Sequence, residues 1–136
     1  MAAFALGAEG VQVGTRFAAS EEASGHENFK NEIIRAEEGS TMLVMKKLVP
    51  VRMIRNKFFQ KIQEAEDHGA SAEDLKEILG RARSKKGMFE GDLDEGELEI
   101  GEVSAQIRDI KPAAKIVKEM WDEFVEVKKE IEEMRV

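Results

Sequence analysis

The sequence predicts a mostly helical α+β chain with one or two short strands, and three observations carry that prediction. Apolar residues recur at three- and four-residue spacing over several stretches. Two of these stretches open on a serine followed three residues later by an acid. Clean alternation occurs at residues 11–17, VQVGTRF, where Val11, Val13, Thr15 and Phe17 share one side.

Residues 2–6 read as the end of a helix that Gly7 stops, because a glycine just past the last turn adopts the left-handed conformation without strain. Residues 11–17 follow as a strand. A helix end, a turn and an apolar strand normally feed a parallel sheet, whose strands need neighbours on both sides and helices on both faces. Ser24 and Glu27 form a capping-box pattern, and Phe29, Ile33 and Ala36 follow at helical spacing before Gly39, predicting a helix over 25–38. Residues 41–49, rich in β-branched and long apolar side chains, read as a strand.

Pro50 suits the first turn of the next helix, with Val51, Ile54, Phe58, Ile62 and Ala65 as its apolar stripe and His68 and Gly69 at its end. Ser71 and Asp74 repeat the cap for a helix carrying Leu75, Ile78, Leu79 and Ala82, which runs through a basic cluster to Gly87. Residues 87–101, rich in glycine and acids, read as loop or short extended structure. Pro112 opens the last helix, where Ile116, Met120, Phe124, Val127, Ile131 and Met134, with Val117 and Trp121 beside them, form a broad apolar face. Trp121 reads as core.

Composition narrows the function classes. A chain of 136 residues suits one domain, and 42% hydrophobic with 36% charged residues excludes both a disordered and a membrane-spanning chain. The longest apolar runs are broken by Lys46 and Lys47, and residues 1–6 carry no basic residue of the kind that opens a secretory leader. Without cysteine there is no disulfide, thiolate nucleophile or cysteine-held metal. A cytoplasmic setting follows. The net charge of -7 argues against nucleic acid as a partner, since such affinity rests on cations neutralising phosphates.

The basic run Arg81, Arg83, Lys85 and Lys86 reads as a solvated helix end or as a docking surface for an acidic protein. Asp92 and Asp94 hint at a calcium loop, but Gly96 falls one position early and Val103 sits where the bidentate glutamate belongs. No metal site is expected. His26 and His68 read as surface or helix-end residues rather than general bases. Gly14 and Thr15 offer a bare backbone N–H and a hydroxyl donor, which serve equally in a plain turn or a phosphate cradle.

The runs AAFALGAEGVQVGTRF, HENFKNEII, PVRMIRNKF and GDLDEGELEIGEVSAQI together cover nearly the whole chain. They resemble the C-terminal part of the FMN-dependent TIM-barrel oxidoreductases of the nitronate monooxygenase (2-nitropropane dioxygenase) and type II enoyl-[acyl-carrier-protein] reductase family. The resemblance implies a fragment of a TIM-barrel α/β protein, because a whole barrel takes about 250 residues. Residues 1–20 would be the end of the last barrel helix and strand 8 with its phosphate-binding turn, 21–111 a C-terminal extension, and 112–136 a C-terminal helix.

The same resemblance implies site residues. Gly14 and Thr15 match the strand-8 pair that holds the FMN phosphate, and Gln12 lies earlier in that motif. Gly101 matches the glycine of a Gly-Gln pair that returns toward the flavin; Glu102 replaces the glutamine, and Gln106 is the nearby residue that could substitute. The family's catalytic histidine has no match, so no catalytic residue is expected here and the chain alone should be inactive. The implied activity of the whole enzyme is oxidation of a nitronate with dioxygen, or NAD(P)H-dependent reduction of an enoyl-acyl carrier protein. A non-catalytic helical interaction module is the alternative. Open strand edges and the uncovered last helix predict a homo-oligomer.

Overall fold

The computed structural model describes residues 1–134. Its elements run α1 (Ala2–Ala5), α2 (Thr15–Ala18), α3 (Glu27–Arg35), β1 (Thr41–Val44), β2 (Val51–Ile54), α4 (Lys57–Asp67), α5 (Ala72–Leu79) and α6 (Ala113–Glu133), with a π-helical turn at Lys85–Phe89 and a 3-10 turn at Glu102–Gln106. β1 and β2 pair antiparallel, Thr41 opposite Ile54 and Val44 opposite Val51. Residues 98–100 take the other edge of β2. Ile54 N–H donates to the Leu98 carbonyl at 3.0 Å and Ile100 N–H to the Arg52 carbonyl at 3.3 Å, with Met53 facing Glu99.

Side chains alternate across a strand, so neighbouring residues of β2 enter different cores. Met53 packs with Val44, Phe58, Phe59, Ile62 and Leu75 beneath α4 and α5. Ile54 packs with Phe29, Ile33, Leu98, Ile100 and Ile107 beneath α3.

A mostly helical chain with two short strands is therefore observed, but the strands are not both where the sequence placed them. Residues 11–14 carry no strand, and Thr15 begins α2. Alternation alone does not make a strand: its N–H and C=O groups need a ladder, and none of the described residues forms a β-pairing with this segment. Val51–Ile54 is a strand rather than the start of a helix opened by Pro50. The β-branched Val51 and Ile54 suit a ladder, and Asn56 supplies the cap, so α4 starts only at Lys57. Phe58, Ile62 and Ala65 keep their place on its apolar side.

Smaller differences have local causes. The strand predicted over 41–49 stops at Val44, where Met45 turns left-handed with φ 56°. α3 is capped by His26, whose Nδ1 accepts from Asn28 N–H at 3.1 Å, not by Ser24. α5 ends before Ala82, because Gly80 and Ala82 both take positive φ. Pro112 caps α6 from outside its first turn. Other ends are as read: Gly7 has φ 94°, His68 and Gly69 close α4, and the Ser71–Asp74 capping box has both of its bonds.

In α6, Ile116 is buried while Val117, Met120 and Ile131 are exposed. Trp121 is 61% exposed, so it is not a core residue; it stacks on Phe124 at 5.4 Å, which in turn meets Phe4 edge-on. No described helix is long and apolar enough to cross a membrane.

Asn56 joins α4 to the acid-rich segment. Its Oδ1 accepts from Phe59 N–H at 2.9 Å, and its Nδ2 donates to the Leu93 and Gly96 carbonyls, both at 2.8 Å. Asn56→Ala should lower stability by about 2 kcal/mol or more, adding a lost cap to two unpaired carbonyls. Asn56→Asp keeps the cap but loses both donors, and chemical denaturation should place it no higher than the alanine variant.

Candidate functional site

The N-terminus of α2 and the segment entering the 3-10 turn meet across a single hydrogen bond. Gly101 N–H donates to Thr15 Oγ1 at 2.8 Å. A Cβ at Gly101 would lie 3.0 Å from that oxygen, a tight contact that would press on the hydrogen bond. Beside the contact is a groove of about 610 Å³ lined by Gly14, Thr15, Pro50, Arg52, Glu99 and Gly101 among others. α2 is held in place from behind by Arg16, which donates to the Asp109 backbone carbonyl at 2.8 Å and its carboxylate at 2.7 Å. Lys111 and Arg16 together hold the Asp109 carboxyl below the ordinary range, the Lys111 hydrogen bond first.

This arrangement has the donors a phosphate monoester needs. A hydroxyl that accepts one bond still has its proton to give. Phe17 and Ala18 N–H donate to the Gly14 carbonyl, while the N–H groups of Thr15 and Arg16 have no partner within the helix. Around Gly14 a Cβ would meet nothing within 4 Å, so the backbone is open to close approach.

The structure thus brings together Gly14, Thr15 and Gly101 from the residues expected at the site. Gln12 and Gln106 are exposed and do not line the groove. Gln106 faces outward because Ser104 and Ile107, its neighbours in the 3-10 turn, face the core. Glu102 is also exposed and sits 3.5 Å from Arg52. The two histidines stand at helix ends, His26 as the α3 cap and His68 with Nδ1 2.6 Å from the Glu64 carbonyl.

Two features escaped the sequence reading. Arg52 enters the groove from β2, having been assigned to a helix. Ser84 Oγ lies 2.6 Å from Glu97 Oε2 and 3.0 Å from Glu99 Oε1, one hydroxyl between two carboxyls. Glu97 is 4% exposed. Burial pushes its carboxyl up, the Ser84 hydrogen bond opposes that, and the charge of Glu99 adds to it. The alternation Glu97, Leu98, Glu99, Ile100 is visible in the sequence, but a segment rich in glycine and acids hides it.

The nitronate monooxygenase family model matches residues 1–123. Among solved structures, FabK from Thermotoga maritima is similar, with a TM-score of 0.87 and 37% identity over 96% of this chain. A methionine-to-alanine mutant of that protein is similar with a TM-score of 0.81 and 35% identity, also over 96%. The chain covers 42% and 39% of these two, about two fifths of their length.

The raised Glu97 carboxyl makes a pH-dependent prediction. A carboxyl whose folded pKa lies above its unfolded value stabilises fully below the unfolded pKa, and that stability is lost as pH rises through the folded one. Glu97→Gln, which cannot ionise, should therefore gain on the natural chain as pH rises above the ordinary glutamate range. Thermal melts from pH 4 to 8 would follow the difference; a gap that stays constant with pH would rule out a titrating Glu97.

Proposed function

Because the chain belongs to the nitronate monooxygenase family, we propose that it is the C-terminal portion of an FMN-dependent oxidoreductase and supplies part of the site for the flavin's phosphate. The observation that carries this reading is the Gly101 to Thr15 hydrogen bond, which joins two segments 86 residues apart beside one groove. Bound FMN would supply the redox chemistry. The residues of this chain act at the phosphate end of it. Gly14 admits a phosphate oxygen to the backbone, and Thr15 donates its hydroxyl. Gly101, by occupying a lone pair of that hydroxyl, leaves its proton for the ligand. Glu102 accepts hydrogen bonds but cannot donate as the glutamine of the resemblance would, so it does not replace that contact.

The parent activity we favour is oxidation of a nitronate. A second reading, an NAD(P)H-dependent enoyl-acyl carrier protein reductase, is favoured by the 37% identity to FabK. In either reading the substrate is a small-molecule nitronate or an acyl group, and the two histidines of this chain stand at helix ends rather than at the groove. A cytoplasmic location fits a chain without cysteine.

The binding test is Thr15→Ala. Restored to a full-length parent, it should weaken FMN binding by about 1–3 kcal/mol, the range for a hydrogen bond to a charged group, while Thr15→Ser retains most of the affinity. Isothermal titration would measure both. An unchanged dissociation constant in the alanine variant would mean that Thr15 does not touch the phosphate.

The groove between α6 and the N-terminal segment, about 590 Å³ and lined by Phe4, Val11, Phe17, Met120, Trp121 and Phe124 among others, supports self-association of the chain. Sedimentation velocity across a dilution series should find a dimer or larger at tens of micromolar. A compact monomer with no concentration dependence would overturn that reading.

A further inference from the structure

We infer that Arg52 is the cation that grips the ligand phosphate in the Thr15–Gly101 groove, an inference that rests on the flavin-phosphate reading above. Its basis is the way residues 100 and 101 lie between two elements. Ile100 N–H goes one way, to the Arg52 carbonyl on β2 at 3.3 Å, and Gly101 N–H goes the other, to Thr15 Oγ1 on α2 at 2.8 Å. Arg52, Thr15 and Gly101 therefore border one and the same groove.

Arg52 points to this side because of strand alternation. Met53 is fully buried against α4 and α5, so Arg52 takes the opposite face, where it is 32% exposed at the groove. It is the one basic side chain among the residues lining that groove. Arg16, the other guanidinium close to Gly14 and Thr15 in sequence, has both terminal nitrogens committed to Asp109. Arg52 is anchored at one side only: Nη1 donates to Thr41 Oγ1 at 3.2 Å and more weakly to the Thr41 carbonyl at 3.4 Å.

The remaining contact of Arg52, Nη2 to Glu102 Oε2, is long at 3.5 Å, and the glutamate is 76% exposed. An exposed pair of that kind is worth little. A phosphate offers the planar guanidinium two oxygens in the fork geometry that arginine favours. Glu102 thus acts as a weak placeholder that competes with the phosphate for Arg52. Two opposite effects follow from one contact: removing the arginine weakens phosphate binding, and neutralising the glutamate strengthens it.

The test titrates the chain, restored to a full-length parent, with FMN and with riboflavin, which is the same ligand without its phosphate. For Arg52→Gln the affinity for FMN should fall about ten- to a hundredfold while riboflavin binding is unchanged, and Arg52→Lys should fall in between. Glu102→Gln should bind FMN more tightly than the natural chain and riboflavin equally. If the natural chain does not prefer FMN to riboflavin, the phosphate site itself is overturned. If it does and Arg52→Gln keeps that preference, only the role of Arg52 is overturned. Equal losses for both ligands would also overturn it, because they would assign Arg52 a purely structural part through Thr41.

Discussion

The pairing of β2 along both edges is the constraint on which the rest of this structure depends. β1 saturates one side and residues 98–100 the other, so four residues are fixed in register by partners about ten and about forty-five positions away. That register decides which side chain enters which core. Met53 goes with the aromatic pair of α4, and Ile54 with the aliphatic cluster under α3. A slip by one residue would exchange the two faces and turn Arg52 into a core. The groove is a by-product of the same register, because its floor is the segment laid along β2.

The acid-rich stretch that supplies this third partner is held by close backbone contact. Gly87 and Gly96 face each other so tightly that a Cβ on either would strike the opposing backbone. Around that contact the charges interlock: Lys61 with Glu95, Arg83 with Glu95, Lys85 with Glu90 and Lys86 with Asp92. Arg83 also lies 4.9 Å over the Phe58 ring. Three members of the basic run, Arg83, Lys85 and Lys86, are therefore paired with neighbouring acids. Each exposed pair contributes little by itself; their number matters more for holding the π-helical turn against the loop than for total stability.

Much of the helical structure was legible in the sequence because helix ends are written locally. The Ser71–Asp74 box and the His68–Gly69 stop depend on residues a few positions apart. The strands were not, for opposite reasons. Val51 and Ile54 continue the three- and four-residue spacing of Phe58 and Ile62, so their helical pattern was real although their partner residues made them a strand. Residues 11–17 had a real alternation and no partner. At the site, Gly14, Thr15 and Gly101 came from a family resemblance, and no spacing rule would have joined them. Arg52 was missed because a residue assigned to a helix was not expected to enter the groove.

The distance between Thr15 and Gly101 along the chain also bears on the order in which the molecule assembles. The contact closes a loop of 86 residues. Such closure costs entropy that rises only slowly with length, but it has to be met before the contact gives anything back. The hairpin, α4 and α5 join residues close in sequence and form early on that argument; the groove forms late. On a ribosome, the N-terminal half of the binding pair would wait, unpartnered, until residues 98–101 had emerged. Any lesion that slows the seating of residues 98–101 on β2 would then reduce the yield of competent protein before it altered the affinity of the molecules that do mature.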